Sequence, residues 1–294
     1  MMDTATTVSV IGPGALGGAL IDLLLKKPVI FSLYSVWGRT LKDSYLQKGA
    51  DRKTADTSFP EKKNDLGELI LITVPDDQIA PIAERLSGVS LDWNRYAVVH
   101  FSGNHSSDLL ASLSKKGAAV ASMHPLQTFT KGDDANRFKD IWFTIEGTEV
   151  IYPKLEMLAK KADAFSRIMN PDQKKAMHLA AVFASNYLVS LMSAVEKITL
   201  ANNIDQGVEM MRPLIHQTLD NIFQKGVDES LSGPIVRGDK STLRAHLELL
   251  NQEADLQLLY KHLGIQALQI TEKSDRLSKK DAESIWKILS GNES

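Results

Sequence analysis

The chain has 294 residues, a formal net charge of -2, a hydrophobic fraction of 43% and a charged fraction of 24%, values ordinary for a soluble globular protein. So balanced a charge offers no footprint for nucleic acid or an anionic membrane surface. With no cysteine, disulfides, thiolate nucleophiles and cysteine metal sites are excluded, which suits a cytoplasmic setting.

The first element is a strand, Val8-Ser9-Val10-Ile11, running into glycines at 12, 14 and 17 and then an apolar helix from Ala19 to Lys27. Gly-x-Gly-x-x-Gly between a strand and a helix is the context a dinucleotide fingerprint requires. Gly12 permits the turn, Gly14 lets backbone approach a pyrophosphate, and Gly17 lets the helix pack on the strand. The free N–H groups at the helix start then face the phosphates. A signal peptide is not expected, because Asp3 stands where a basic segment belongs and glycines interrupt the apolar run. No other stretch is expected to approach the apolar length of a membrane span.

A second strand is predicted over Val29 to Trp37, a helix over Arg39 to Gly49 and a polar crossover to Gly67. Glu68 to Val74 is mostly apolar, as a strand buried on both faces must be. Pro75-Asp76-Asp77 opens a helix over Gln78 to Leu86. Further strands are predicted at Tyr96 to Phe101, Ala118 to Met123, Ile141 to Ile145 and Ala164 to Met169, with helices at Ser107 to Lys116 and Tyr152 to Lys161. This alternation predicts an α/β fold, a Rossmann-type doubly wound parallel sheet, over residues 1–170. From 171 to 294 only helical periodicity remains, predicting an all-α domain. Its helices are read as Asp172 to Ala201, Asp205 to Lys225, Ser241 to His262 and Ser278 to Leu289, the last with a capping-box-like Ser278 and Asp281.

The end of the second strand holds Trp37-Gly38-Arg39-Thr40, with no acidic residue between Asp22 and Asp43. An NAD site places a carboxylate there for the ribose 2′-hydroxyl. Its absence, with Arg39 able to meet a 2′-phosphate, favours NADP. The strand ends carry three polar punctuations: Val74-Pro75-Asp76-Asp77, His100-Phe101-Ser102-Gly103 and Met123-His124-Pro125. Asp76 suits a helix cap, and His100 suits a satisfied core position. Ser102 and His124 fall just past the strand ends, where substrate and nicotinamide would meet, and imidazole is a common proton carrier there. His178, Ser185 and Asn186 lie within about two turns of one helix among small and apolar neighbours, where polar groups must be satisfied by each other or by a ligand; the role of His178 stays open. Arg237, between Gly233-Pro234 and Gly238, suits either a carboxylate ligand or a salt bridge. Lys174-Lys175 and Lys279-Lys280 read as solvated faces. The seven histidines show no metal-ligand spacing, and no metal site is expected.

Taken in order, Gly12-Pro-Gly-Ala-Leu-Gly17, Val74-Pro75-Asp76-Asp77, His100-Phe-Ser-Gly103, His124-Pro-Leu-Gln-Thr-Phe129, His178-Leu-Ala-Ala-Val-Phe-Ala-Ser-Asn-Tyr187 and Gly233-Pro-Ile-Val-Arg-Gly-Asp239 resemble a family of NADP oxidoreductases. Its members join a Rossmann-like domain to a helical C-terminal domain of unknown function. That family resembles in turn pyrroline-5-carboxylate reductase, 6-phosphogluconate dehydrogenase and prephenate dehydrogenase. The resemblance implies an active site in the interdomain cleft, a small-molecule substrate and a homodimer formed through the helical domain. By likeness to prephenate dehydrogenase, His124 would be the catalytic histidine, Ser102 and Asn186 would orient substrate, and Arg237 would bind a carboxylate. Asn186 stands where that enzyme has a histidine, so prephenate itself is not the expected substrate.

The reading is an NADP(H)-dependent oxidoreductase acting on a small carbonyl, imine or hydroxy compound. Gly12, Pro13, Gly14, Ala15, Leu16, Gly17, Arg39, Thr40, Val74, Pro75 and Asp76 are expected to hold the cofactor. The rivals are a prephenate-like NAD-dependent dehydrogenase and a non-catalytic NADP-binding or sensing dimer.

Overall fold

The computed structural model describes residues 5–26, 30–39, 55–56 and 58–292. The chain divides into two compact units, 1–186 and 187–294.

The first unit is built on one eight-stranded sheet of order β3-β2-β1-β4-β5-β6-β7-β8. Its strands are β1 (Thr6–Ile11), β2 (Phe31–Trp37), β3 (Ala55–Asp56), β4 (Leu69–Ile72), β5 (Ala97–His100), β6 (Ala119–Pro125), β7 (Trp142–Gly147) and β8 (Phe165–Ile168). All neighbours pair in parallel except β6 and β7, which are antiparallel. The wholly parallel sheet expected from the sequence therefore reverses at β7. The reversal is feasible because a loop and a single 3-10 turn, Ala135–Phe138, join the two strands with no crossover helix.

Helix α1 (Ala15–Lys26) follows β1, α2 (Asp76–Ser87) follows β4, and a 3-10 turn with the short α3 (Ala111–Ser114) follows β5. Helix α4 (Tyr152–Lys161) joins β7 to β8. The four residues of β4, Leu-Ile-Leu-Ile, are all buried. Leu69 and Leu71 face a core with Val8, Leu20 and Val99, while Ile70 and Ile72 face another with Ile79, Leu86 and Trp93. A strand apolar on both faces is what a sheet covered on both sides demands. The helix expected over Arg39 to Gly49 lies outside the described residues.

Helix α5 (Pro171–Ala184) closes the first unit, opened by a reciprocal capping box between Asn170 and Gln173. The single helix expected from Asp172 to Ala201 is interrupted at Ser185 (φ -118, ψ -69) before α6 (Asn186–Ala201) begins. The run Pro171–Ala201 contains a stretch long and apolar enough, by length and composition, to cross a membrane. This corrects the expectation that no such stretch exists. Its first half is docked on the sheet's strand-end loops through Lys174.

The second unit continues with α7 (Gly207–Met210), α8 (Arg212–Lys225), α9 (Val227–Ser230), α10 (Lys240–Leu249), α11 (Ala254–Lys273) and α12 (Lys279–Ser290). Ile235, Leu243, Leu268, Ile285 and Leu289 form its core. The helix read from Ser241 to His262 is two helices, broken between Leu249 and Ala254. Ser278 caps α12 and exchanges bonds with Asp281, as its sequence spacing suggests.

Candidate cofactor cavity and active site

A cavity of about 590 Å³ opens above the carboxyl ends of β1, β2 and β4. Gly12, Pro13 and Gly14 form one wall, Trp37, Gly38 and Arg39 a second, and Val74 and Pro75 a third. The glycines divide the work. Gly12 sits at φ +94, where a Cβ would meet Val74 Cγ1 at 2.5 Å. A Cβ on Gly17 would collide with the carbonyl oxygen of Gly12 and the hydroxyl of Thr73, a hydroxyl that itself donates to Gly12 O at 2.6 Å. A Cβ on Gly14 would meet nothing within 4 Å. Packing therefore requires glycine at 12 and 17, whereas at 14 glycine only keeps space open.

Ala15, Leu16 and Gly17 form the first turn of α1, where backbone N–H groups lack intrahelical partners and the helix dipole is positive. No acidic side chain stands in that turn. Open space over Gly14, a helix start with no acidic side chain in its first turn and an exposed arginine at the end of β2 fit a dinucleotide phosphate. Thr40 lies outside the described residues. Sequence reasoning missed the opposite wall, where Gln78, Pro81, Ile82 and Arg85 of α2 face the cavity. Their i, i+3, i+4, i+7 spacing was the available signal. Arg85 lies 3.9 Å over the Phe59 ring, a cation–π contact that holds its guanidinium at the rim.

At the carboxyl ends of β5 and β6, with His100 and His124 still inside the strands, lies a polar cluster. His100 is fully buried, accepts the Ser102 N–H at Nδ1 (3.2 Å) and donates from Nε2 to Ser106 O (2.9 Å). Burial lowers its pKa to about 4, so it is a neutral core residue. The Ser102 hydroxyl donates to Asp76 Oδ2 at 2.8 Å and accepts the His105 N–H at 3.1 Å. Asp76 thus ties α2 to the loop after β5, and it is not among the cavity's lining residues. His124 Nδ1 lies 3.0 Å from Phe101 O. A carbonyl only accepts, so Nδ1 carries the proton and Nε2 presents its lone pair. Burial also lowers the His124 pKa, keeping the ring neutral.

Lys174 is the residue the sequence most misrepresented. Read as part of a solvated face, it is 1% exposed. Its Nζ donates to the carbonyl oxygens of Ser102 (2.6 Å), Gly103 (3.2 Å) and His105 (2.6 Å). Burial lowers its pKa to about 8, opposed by the charges of Glu146 and Asp76. One turn along α5, His178 stands edge-on to His124, with ring centroids 5.6 Å apart and planes at 81°.

The structure therefore brings Ser102 and His124 together with Asp76, Lys174 and His178 inside the first unit. Asn186 is exposed at the start of α6. Arg237 belongs to the second unit, exposed in a tight turn where Gly238 has φ +70. There Asp239, whose pKa is held near 2 by the hydroxyls of Thr242 and Ser241, caps α10.

Residues 141–267 match the model of a family described as a domain of unknown function, DUF2520. A search of curated proteins finds no match. Among solved structures, the chain is similar to a "putative NADP oxidoreductase" from Bacteroides fragilis, at 22% identity and a TM-score of 0.71, covering 90% of this chain and 98% of that one. A Thermotoga maritima protein gives 25% identity and a TM-score of 0.71, covering 91% and 99%. A reductive aminase from Aspergillus terreus, solved with NADPH and ethyl levulinate, gives 14% and 0.60, covering 98% and 93%. The chain shares the Rossmann-type fold and helical C-terminal region of these proteins and is similar to DUF2520 over 141–267.

Proposed function

We propose that the chain is an NADP(H)-dependent oxidoreductase acting on a small carbonyl, imine or hydroxy compound. The observation that carries this reading is the cavity itself: a glycine turn whose middle glycine faces open space, beside an arginine at the end of β2 and, among the described residues, no carboxylate in the lining. When bound, the nicotinamide supplies or accepts a hydride. Gly12, Pro13, Gly14 and the first turn of α1 would receive the phosphates, and Arg39 the 2′-phosphate. His124, neutral and fixed by Phe101, would pass a proton between the substrate heteroatom and water. Ser102, locked to Asp76, would set the floor of the substrate site. Asn186 would orient substrate and Arg237 would bind a carboxylate.

A homodimer through the helical unit belongs to the same reading. Val189, Leu214 and Phe223 of this unit are exposed, the last 85% accessible, and a second copy would cover apolar side chains of this kind. Light scattering at micromolar concentration should give twice the chain mass. Calorimetric titration with NADPH and NADH tests the cofactor: NADPH should bind tightly and NADH weakly, and binding of neither refutes the assignment.

A further inference from the structure

We propose that Nε2 of His124 and Nδ1 of His178 hold one protic group between them, the hydroxyl or amine at the reacting carbon of the substrate. The inference rests on the oxidoreductase reading for the identity of that group. The first support is an unpaired atom. His178 Nδ1 is buried and has no hydrogen-bond partner, an arrangement that is costly unless something occupies it.

The second support is convergence. A Cβ on Gly103 would stand 2.8 Å from His124 Nε2 and would collide with His178 Nδ1. Both nitrogens therefore pack against the Gly103 backbone and lie less than two hydrogen-bond lengths apart, a separation that one oxygen or nitrogen atom can bridge. The third support is polarity. The bond to Phe101 O fixes the proton of His124 on Nδ1, so Nε2 accepts and the held group must donate to it. His178 is free to adopt either tautomer, accepting a second proton from an amine or donating to a hydroxyl.

The pair is held rigidly. Lys174, one turn before His178 on α5, is bonded to three carbonyls of the loop that contains Gly103. The charged and titratable groups that act on His124 are Lys174, His178 and Asp76.

The experiment is side-chain nitrogen NMR of the full chain labelled with 15N-histidine, titrated with 2-propanol and with 2-aminopropane in the presence of NADP+. One of the probes should shift His124 Nε2 and His178 Nδ1 together, leave the buried nitrogens of His100 unmoved, and identify the group as hydroxyl or amine. His178→Phe and Gly103→Ala should each abolish the His124 shift, with the His100 signals certifying the fold. Shifts of His124 alone, or an unchanged His124 response in His178→Phe, would overturn the pairing. Calorimetry with NADP+ separates the two claims. Nucleotide binding without paired shifts refutes the pair alone, and paired shifts without nucleotide binding refute the oxidoreductase reading alone.

Discussion

The Lys174 ammonium lies 2.6 Å from the carbonyl oxygen of Ser102, so one charge on α5 fixes the loop that follows β5. Ser102 is in turn joined to Asp76 at the start of α2. Three elements distant in sequence thus meet at a single residue. Lys174→Met removes the donor shared by three carbonyls, two of them in buried bonds, and truncating one side of a buried charged network is costly. The variant should lose about 3 kcal/mol of unfolding free energy, read by urea denaturation. A loss under about 1 kcal/mol would show the contacts to be incidental.

The glycine turn separates packing from binding. Gly17→Ala should destabilise the first unit, because its new methyl meets the Gly12 carbonyl and the Thr73 hydroxyl. Gly14→Ala meets nothing, so its thermal midpoint should stay within a degree or two of the parent. Its NADPH affinity should nevertheless fall at least about tenfold, equivalent to about 1.4 kcal/mol. If Gly14→Ala binds NADPH normally, the phosphates do not lie over that position.

Arg39 should decide between the two nicotinamide nucleotides. A charge-assisted hydrogen bond contributes about 1.5–3 kcal/mol, so Arg39→Ala should weaken NADPH roughly 10- to 100-fold. NADH affinity should be unchanged. Equal losses for both nucleotides would place Arg39 on a shared phosphate or on structure.

Acid should destabilise the fold through His100. Its pKa falls from the ordinary 6.5 to about 4 on burial. Between those values the unfolded chain takes the proton and the folded chain does not. The histidine's contribution is therefore complete above pH 6.5 and drains away as pH falls toward 4, by about 3 kcal/mol over the whole window. His124, also lowered, acts with the same sign. Thermal midpoints from pH 7.5 to 4.5 should slope less steeply in His100→Gln, and an identical slope would exclude this origin.

The fingerprint, the alternation of strands and helices after it and the helical C-terminal region were legible because each follows from short-range pattern. A glycine spacing, a β-branched run and a capping pair need no distant partner. What stayed hidden depends on partners far along the chain. Nothing around Lys174 distinguishes it from Lys175, yet one is buried and the other exposed. The difference comes from carbonyls some 70 residues earlier, which no periodicity reports. The reversal at β7 was hidden for a similar reason, since an apolar strand reads alike in either direction. The wall formed by α2 carried a signal in its spacing, but an amphipathic stripe does not say whether it faces a core or a cavity.

The close fit of Gly17 against Thr73 and Gly12 bears on how the protein is made. Thr73 follows β4, yet its hydroxyl clasps the carbonyl of Gly12, and β4 pairs directly with β1. A nascent chain that has emerged only through β2 already carries every glycine of the fingerprint but lacks the strand that shapes it. Ligand-binding competence should therefore not appear with the fingerprint itself but only once β4 has emerged and zips alongside β1.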